Sequence, residues 1–217
     1  MATDLLPSER ARYEEVCRFG LDRLEAMAHT VALAFADDPI WQWVIDVDRT
    51  LTLDQAMPFA RAMVAATSPV DENHGFRDGS ALAMWRAPVG LETPATKAWK
   101  DERSGPYWAI FAEQIGERMR ALGEFGEAMR AARPEEPHWY LTILGAVPER
   151  QGEGLGGRVL APMIERCDRL GMATYLESSN PRNHSFYRRL GYVEQGEISG
   201  GGSPSILGFY RAPQPPG

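Results

Sequence analysis

Pro148-Glu149-Arg150-Gln151-Gly152-Glu153-Gly154-Leu155-Gly156-Gly157 places four glycines within six residues. The run lies between residues 139–147, which read as a strand, and Leu155–Leu170, which reads as a helix. Glycine lets backbone N–H groups converge on an anion with no Cβ in the way, and the first turn of a helix adds unpaired donors and a partial positive charge. The loop is therefore read as a phosphate-binding turn.

Its spacing separates the families that use such loops. No Lys-Ser or Lys-Thr pair follows the glycines, so the nucleotide-triphosphate loop is absent. Gly152-x-Gly154-x-Gly156 does not match G-x-G-x-x-G, and no early βαβ unit surrounds it, which removes the dinucleotide fold. Downstream, residues 173–177 read as a second strand, completing a βαβ unit. Residues 183–190 then read as a short helix.

Gln151-x-x-Gly154-x-Gly156 resembles the Q/R-x-x-G-x-G/A signature of the GNAT N-acetyltransferases, which grips the pyrophosphate of coenzyme A. Residues 180–192, N-P-R-N-H-S-F-Y-R-R-L-G-Y, resemble the family's N-x-x-A-x-x-F-Y-E-K-x-G-F segment. The two matches stand in the right order and at the right separation. The resemblance covers most of the chain, with its specific motifs in the C-terminal half.

The resemblance implies an α+β (α/β) fold: a mixed, mostly antiparallel central sheet flanked by helices. Strands 139–147 and 173–178 would be a splayed parallel pair that holds acetyl-CoA as cosubstrate. It implies cofactor contacts at Gly145, Ala146, Val147, Arg150, Gln151, Gly152, Glu153, Gly154, Leu155, Gly156, Gly157, Asn180, Asn183 and Tyr187. It also places a β-bulge near Gly145, where a strand glycine equally serves close packing, and the N–H groups of 145–147 are the candidate donors to the thioester oxygen, since Pro148 has none to offer. The family often has Lys or Arg where this chain has Glu153, a departure that bears on cofactor affinity and that Arg150 and Arg158 could offset.

Acetyl transfer from a thioester to an amine needs a neutral amine, a polarised carbonyl and help for the departing thiolate. By resemblance Tyr187 stands beside the sulfur as general acid. With phenol at pKa ~10 and thiol at ~8.5, full proton transfer is uphill by roughly 2 kcal/mol, so hydrogen bonding to the thiolate is the safer role. Glu177, at the carboxyl end of its strand, is the candidate base or cation anchor. The other reading of Glu177 is a solvated strand end, and of Tyr187 a core aromatic beside Phe186. His138 and His184 are weaker candidates for the base.

The N-terminal half carries less information. Residues 13–19 read as a strand and 22–35 as a helix with Leu24, Met27, Ala28, Val31 and Phe35 on one face, ending before Asp37-Asp38-Pro39. Trp41 and Trp43 fall in an irregular stretch, as core or as an aromatic wall for the acceptor. Residues 53–66 read as a helix, and 76–78 with 81–86 as a hairpin through Asp78-Gly79. Residues 107–131 read as a long helical region broken near Gly123 or Gly126. At the other end, 192–198 and 205–211 form a hairpin whose Gly200-Gly201-Gly202 is a mobile lid or a loose turn.

At 217 residues the chain is expected to be a single domain, 1–217, with 44% hydrophobic and 24% charged residues, the balance of a soluble globular protein. A net charge of −7 disfavours nucleic acid as a partner and suits a cationic small molecule. No apolar run is long enough for a bilayer and Met1–Arg12 lacks an apolar core segment, so no membrane association is expected and the location is read as cytoplasmic. Cys17 and Cys167 stand in no metal-binding spacing, so no metal is expected. The leading reading is an N-acetyltransferase acting on a small-molecule amine. A protein N-terminal or lysine acetyltransferase and a non-catalytic acetyl-CoA sensor are the alternatives. Dimerisation is common among such proteins, and a homodimer is left open.

Overall fold

The computed structural model describes residues 16–214; Met1–Arg12 and residues 13–15 of the expected first strand lie outside them. Seven strands form one sheet: β1 (Val16–Arg18), β2 (Glu72–Phe76), β3 (Ala81–Arg86), β4 (His138–Ala146), β5 (Ala173–Ser178), β6 (Val193–Ile198) and β7 (Ile206–Arg211). Their order is β1-β2-β3-β4-β5-β7-β6. Every neighbouring pair is antiparallel except β4 and β5.

The helices are α1 (Leu24–Ala34), α2 (Pro39–Ile45), α3 (Leu53–Ala65), α4 (Pro94–Ile115), α5 (Arg118–Ala131), α6 (Leu155–Leu170) and α7 (His184–Arg189). They cover both faces of the sheet, and the alternation of β3 shows how. Leu82 and Met84 point into one core with Met27, Val31, Trp41, Phe59 and Phe111 from α1 to α4. Ala81, Ala83 and Trp85 point the other way, onto Leu155, Val159, Leu160 and Met163 of α6. Strand periodicity thus sorts one sequence into two cores.

On β4 the alternation breaks. Trp139 and Leu141 face α6, Ile143 faces the other core, and then Leu144 and Ala146 face α6. The β3 register explains it: Met84 pairs with Ile143 and Trp85 with Leu141, leaving Thr142 as the extra residue of a bulge. A bulge re-aims the side chains that follow it. It sits where β4 parts from β5, whose parallel pairing stops at Leu141 with Leu176 while β5 continues along β7 through Ser178. The expected splay is present, but its bulge is at Thr142 and not near Gly145. Gly145 serves close packing instead, because a Cβ there would lie 2.7 Å from that of Ala34.

Four expectations for the N-terminal half need correction. The strand before the Asp78-Gly79 turn is Glu72–Phe76 and not 76–78, because the Gly79 N–H donates to the Phe76 carbonyl and closes the turn there. Residues 39–45 are helical, not irregular: Asp38 Oδ1 accepts from the N–H groups of Ile40 and Trp41, and Pro39 occupies the first turn. The Asp-Pro pair that ends one helix also starts the next. The long helical region begins at Pro94 behind a Thr93/Thr96 capping box. Its break is at Gly116, with φ 53° and ψ −125°, a conformation open to glycine. Gly123 and Gly126 remain inside α5, at a cost of about 1 kcal/mol each relative to alanine.

The last hairpin closes against α5. A Cβ on Gly201 would lie 2.2 Å from the Ala121 carbonyl oxygen, and one on Gly200 2.9 Å from that of Glu124. The glycine run is thus a close contact between a turn and a helix backbone. It is not a loose turn.

Candidate active site

The cleft opened by the splay leads into two adjoining cavities. The narrower, about 60 Å³, is lined by Asp38, Thr142, Leu144, Glu177, Ser179, Asn183 and Tyr187, among others. The wider, about 370 Å³, shares Asp38, Thr142, Glu177 and Ser179 and continues between Trp41, Phe59, Trp108 and α5. Residues separated widely in sequence therefore meet where β4 and β5 part.

Glu177 is not a solvated strand end. Its side chain is 5% exposed and lies 3.5 Å from Arg133 Nε, and the Tyr140 hydroxyl hydrogen-bonds to it. The Arg133 guanidinium stacks on the Tyr140 ring at 3.8 Å. Burial raises the carboxyl above the ordinary glutamate range, and Arg133 and Tyr140 act against that rise. On Arg133, burial opposes the charge, but Tyr140 and Glu177 outweigh it and hold the guanidinium protonated.

Asp38 is a second buried carboxylate. One oxygen caps α2 and the other accepts from the Ser179 hydroxyl. Burial raises its pKa, against the lowering by Ser179 and the capped N–H groups. Tyr187 is buried on α7, among Phe186, Tyr192 and Phe209. Burial, and secondarily Asp38, raises its pKa, so the phenol stays protonated throughout the working range.

The loop 148–157 sits apart from these groups, at the start of α6. Gly152 and Gly154 have φ of 86° and 77°, and Gly154 precedes α6 with no side-chain cap on its first turn. Space around both is open where a Cβ would project. The cradle fits an anion such as a pyrophosphate. Gly156 packs instead, with a Cβ position 3.5 Å from Phe186 and 3.8 Å from Leu144. Gln151 Nε2 donates to the Ala146 carbonyl at 3.2 Å. Arg150 binds Glu153 at 2.7 Å and Asp78 at 3.1 Å, so the unusual Glu153 is neutralised within the loop. Arg158 stacks on Phe76.

The backbone donors differ from the expectation. The Val147 N–H is committed to Ser80. Alternation of the antiparallel ladder assigns the Gly145 N–H to Leu82 in the same way and turns those of Leu144 and Ala146 toward the cleft. Of the three residues expected, only Ala146 offers a donor there, and Leu144 joins it.

Asn180 caps the turn Pro181–Asn183 by accepting from the Arg182 N–H at 3.1 Å, whereas Asn183 lines the narrow cavity. Neither His138 nor His184 lines either of these two cavities: His138 Nδ1 pairs with the Glu136 carbonyl, and His184 packs on Phe209. Trp41 is both core and cavity wall, in an aromatic series with Phe35 at 5.2 Å and Phe59 at 4.6 Å. Trp43 packs on Phe125 away from the cavity. Burial pushes the Cys167 thiol up to about 11, as befits an inert core thiol. Among the described residues there is no cluster that would hold a metal ion and no helix long and apolar enough to cross a membrane.

A model of the Acetyltransferase (GNAT) family matches residues 80–192, more than half of the chain. The chain belongs to that family. It is an acyltransferase, and the family generally uses acetyl-CoA as acyl donor. An uncharacterized N-acetyltransferase of Schizosaccharomyces pombe is 25% identical over 185 residues, covering 79% of this chain and 71% of that one. Among solved structures, histone acetyltransferase HPA2 and related acetyltransferase from Corynebacterium glutamicum superimposes with a TM-score of 0.64 at 21% identity, covering 93% of this chain and 97% of that one. Arylalkylamine N-acetyltransferase 2 from Aedes aegypti gives 0.54 at 8% identity, covering 92% and 99%. The ribosomal-protein-S18-alanine N-acetyltransferase from Escherichia coli gives 0.51 at 13%, covering 94% and 96%. At such identities the likeness is one of fold, and the fold alone does not choose between small and protein acceptors.

Proposed function

We propose that this GNAT protein transfers the acetyl group of acetyl-CoA to a primary amine of a small molecule, by direct attack in a ternary complex. One observation carries the reading: Glu177, Asn183 and Tyr187 converge where β4 and β5 part, beside a cavity of about 370 Å³. A cavity bounded by helices suits a small acceptor; a polypeptide tail would need an extended groove.

The loop from Arg150 to Gly157 and the first turn of α6 hold the pyrophosphate. Bound acetyl-CoA supplies the acyl group as a thioester. The N–H groups of Ala146 and Leu144 serve its carbonyl oxygen as negative charge develops. Glu177, directly or through a water, takes the proton that the amine must lose, and Arg133 and Tyr140 fix the carboxylate in place. The Tyr187 hydroxyl donates a hydrogen bond to the departing thiolate. Because burial raises its pKa further above that of a thiol, donation without complete transfer is the role its environment favours.

Within the family, Pro137-His138-Trp139-Tyr140-Leu141 leading to Gln151–Gly156, with Leu176-Glu177, Pro181-Arg182-Asn183 and Phe186-Tyr187, is similar to the same region of puromycin N-acetyltransferase. An aminoacyl-nucleoside amine therefore belongs among the acceptors to try. The test is calorimetric titration with acetyl-CoA followed by a free-thiol release assay on a panel of amines that includes puromycin. Binding with release on one amine class is expected. Absence of binding overturns the cofactor assignment, and binding without release on any amine favours a sensor. Tyr187→Phe should lower turnover by about 10- to 100-fold with acetyl-CoA binding intact; unchanged turnover would remove Tyr187 from the mechanism.

A further inference from the structure

The wider cavity is divided by chemistry. Its polar groups form one patch: Asp38 is bonded to Ser179, and Glu177, two residues before Ser179, is bonded to Tyr140. The remaining wall is aromatic or aliphatic, and no Lys, Arg or His lines it; the cation beside the patch is Arg133, which pairs with Glu177 at 3.5 Å from outside the wall. Two carboxylates at one end and hydrocarbon elsewhere complement a molecule with one ammonium and an apolar body.

Gly123 and Gly126 show where that body lies. They sit three apart on α5 and so share a face, and both line the cavity. Neither has a positive φ, and a Cβ on either would meet nothing within 4 Å. Backbone conformation does not require these glycines, nor does close packing. Gly105 in α4 is equally unconstrained but does not line this cavity; on α5, half-buried Gly126 and exposed Gly123 border it.

We infer that the acceptor is a primary monoamine on an apolar, aromatic-sized body, its ammonium held by the Asp38–Glu177 patch and its body lying over Gly123 and Gly126. The inference rests on the acetyl-transfer reading for its chemistry and on the cavity for its selectivity. A second ammonium at the far end would be stranded among Met119, Leu122, Phe125 and Met129, so diamines are poor acceptors.

The probes are phenylethylamine and diaminobutane, with thiol release measured on the full chain and amine binding measured by calorimetry in the presence of coenzyme A. Phenylethylamine should exceed diaminobutane in kcat/KM by at least roughly tenfold, and Gly126→Leu should cut the phenylethylamine value by at least roughly tenfold. Acetyl-CoA affinity and thermal midpoint should not fall in the variant, since leucine favours the helix. Gly123→Leu is the second variant, should the first fold poorly. Preference for the diamine, or an unchanged phenylethylamine value in both leucine variants, overturns the inference. Phenylethylamine that binds, loses binding in the leucine variants and yet is not acetylated supports the site while overturning the transferase reading. Failure of phenylethylamine to bind at all overturns the site.

Discussion

The cofactor loop and the acceptor cavity are built on opposite principles. The loop is ten consecutive residues whose chemistry lies in the backbone: two glycines with positive φ and an uncapped helix start. The cavity is assembled from residues between Phe35 and Ile206, contributed by four helices, two strands and the last hairpin, and its chemistry lies in side chains. A local backbone device can be recognised from spacing. A cavity wall has no spacing to recognise, because its members become neighbours only after the sheet and helices have packed.

If the two regions are separate devices, substitutions in one should leave the other's binding untouched. The largest effect is expected at Glu177. Glu177→Gln should lower kcat by about 10²- to 10⁴-fold without changing acetyl-CoA affinity, as thiol release and calorimetry together would show. A parallel loss of both would mean that loop and cavity are coupled.

The pH dependence sharpens the same point. Glu177 acts as a carboxylate, and burial raises its pKa, so activity should fall as the pH drops through that raised value. The acid limb of kcat/KM should lie above the ordinary glutamate range of about 4.3, and Glu177→Gln should remove the part due to Glu177 and leave that of Asp38, whose pKa burial also raises. For stability the sign is the reverse. A carboxyl whose folded pKa exceeds its unfolded value contributes most below the unfolded value, and that contribution is lost as pH rises through the folded one. Denaturant midpoints from pH 4 upward should therefore improve more in wild type than in Glu177→Gln as the pH is lowered toward the unfolded range of about 4.3.

A smaller effect is expected in the loop. Gly154→Ala must adopt a φ near 77°, which costs a Cβ-bearing residue about 1 to 2 kcal/mol. Acetyl-CoA affinity should weaken by about tenfold while the KM for the amine, measured at saturating acetyl-CoA, is unchanged. The smallest effect belongs to Arg150→Ala, which removes a half-exposed pair with Glu153 and Asp78 and should cost about 1 kcal/mol or less. It leaves Glu153 unpaired beside the loop, so acetyl-CoA affinity should fall a few-fold at low salt and recover as salt screens the repulsion.

How far the molecule could be read in advance follows the same division. Residues 138–211 were legible: β4, α6, β5, α7 and the last hairpin stand within a residue or two of their expected places, since hydrophobic period and glycine punctuation are local signals. Between residues 37 and 131 the reading faltered wherever one residue type serves two purposes. Asp38-Pro39 ends a helix and caps another, Gly116 breaks a helix, and Gly123 and Gly126 do not. Glycine alone does not say whether it is needed for φ, for contact or for space. Glu177 and Tyr187 were visible through the family motif and through position at a strand end. Arg133, Tyr140 and Asp38 carried no such signal, because what matters about them is whom they meet.

The amino-acid sequence by itself determined the family, the order of elements in the C-terminal half and the glycine turn that suits a pyrophosphate, since each depends on neighbours within a few residues. Only the tertiary structure decided that the bulge falls at Thr142 and that two carboxylates are buried at one end of an apolar cavity. It also decided which backbone donors remain free and which glycines leave room for a ligand. These depend on strand register, desolvation and packing, which arise when distant segments come together.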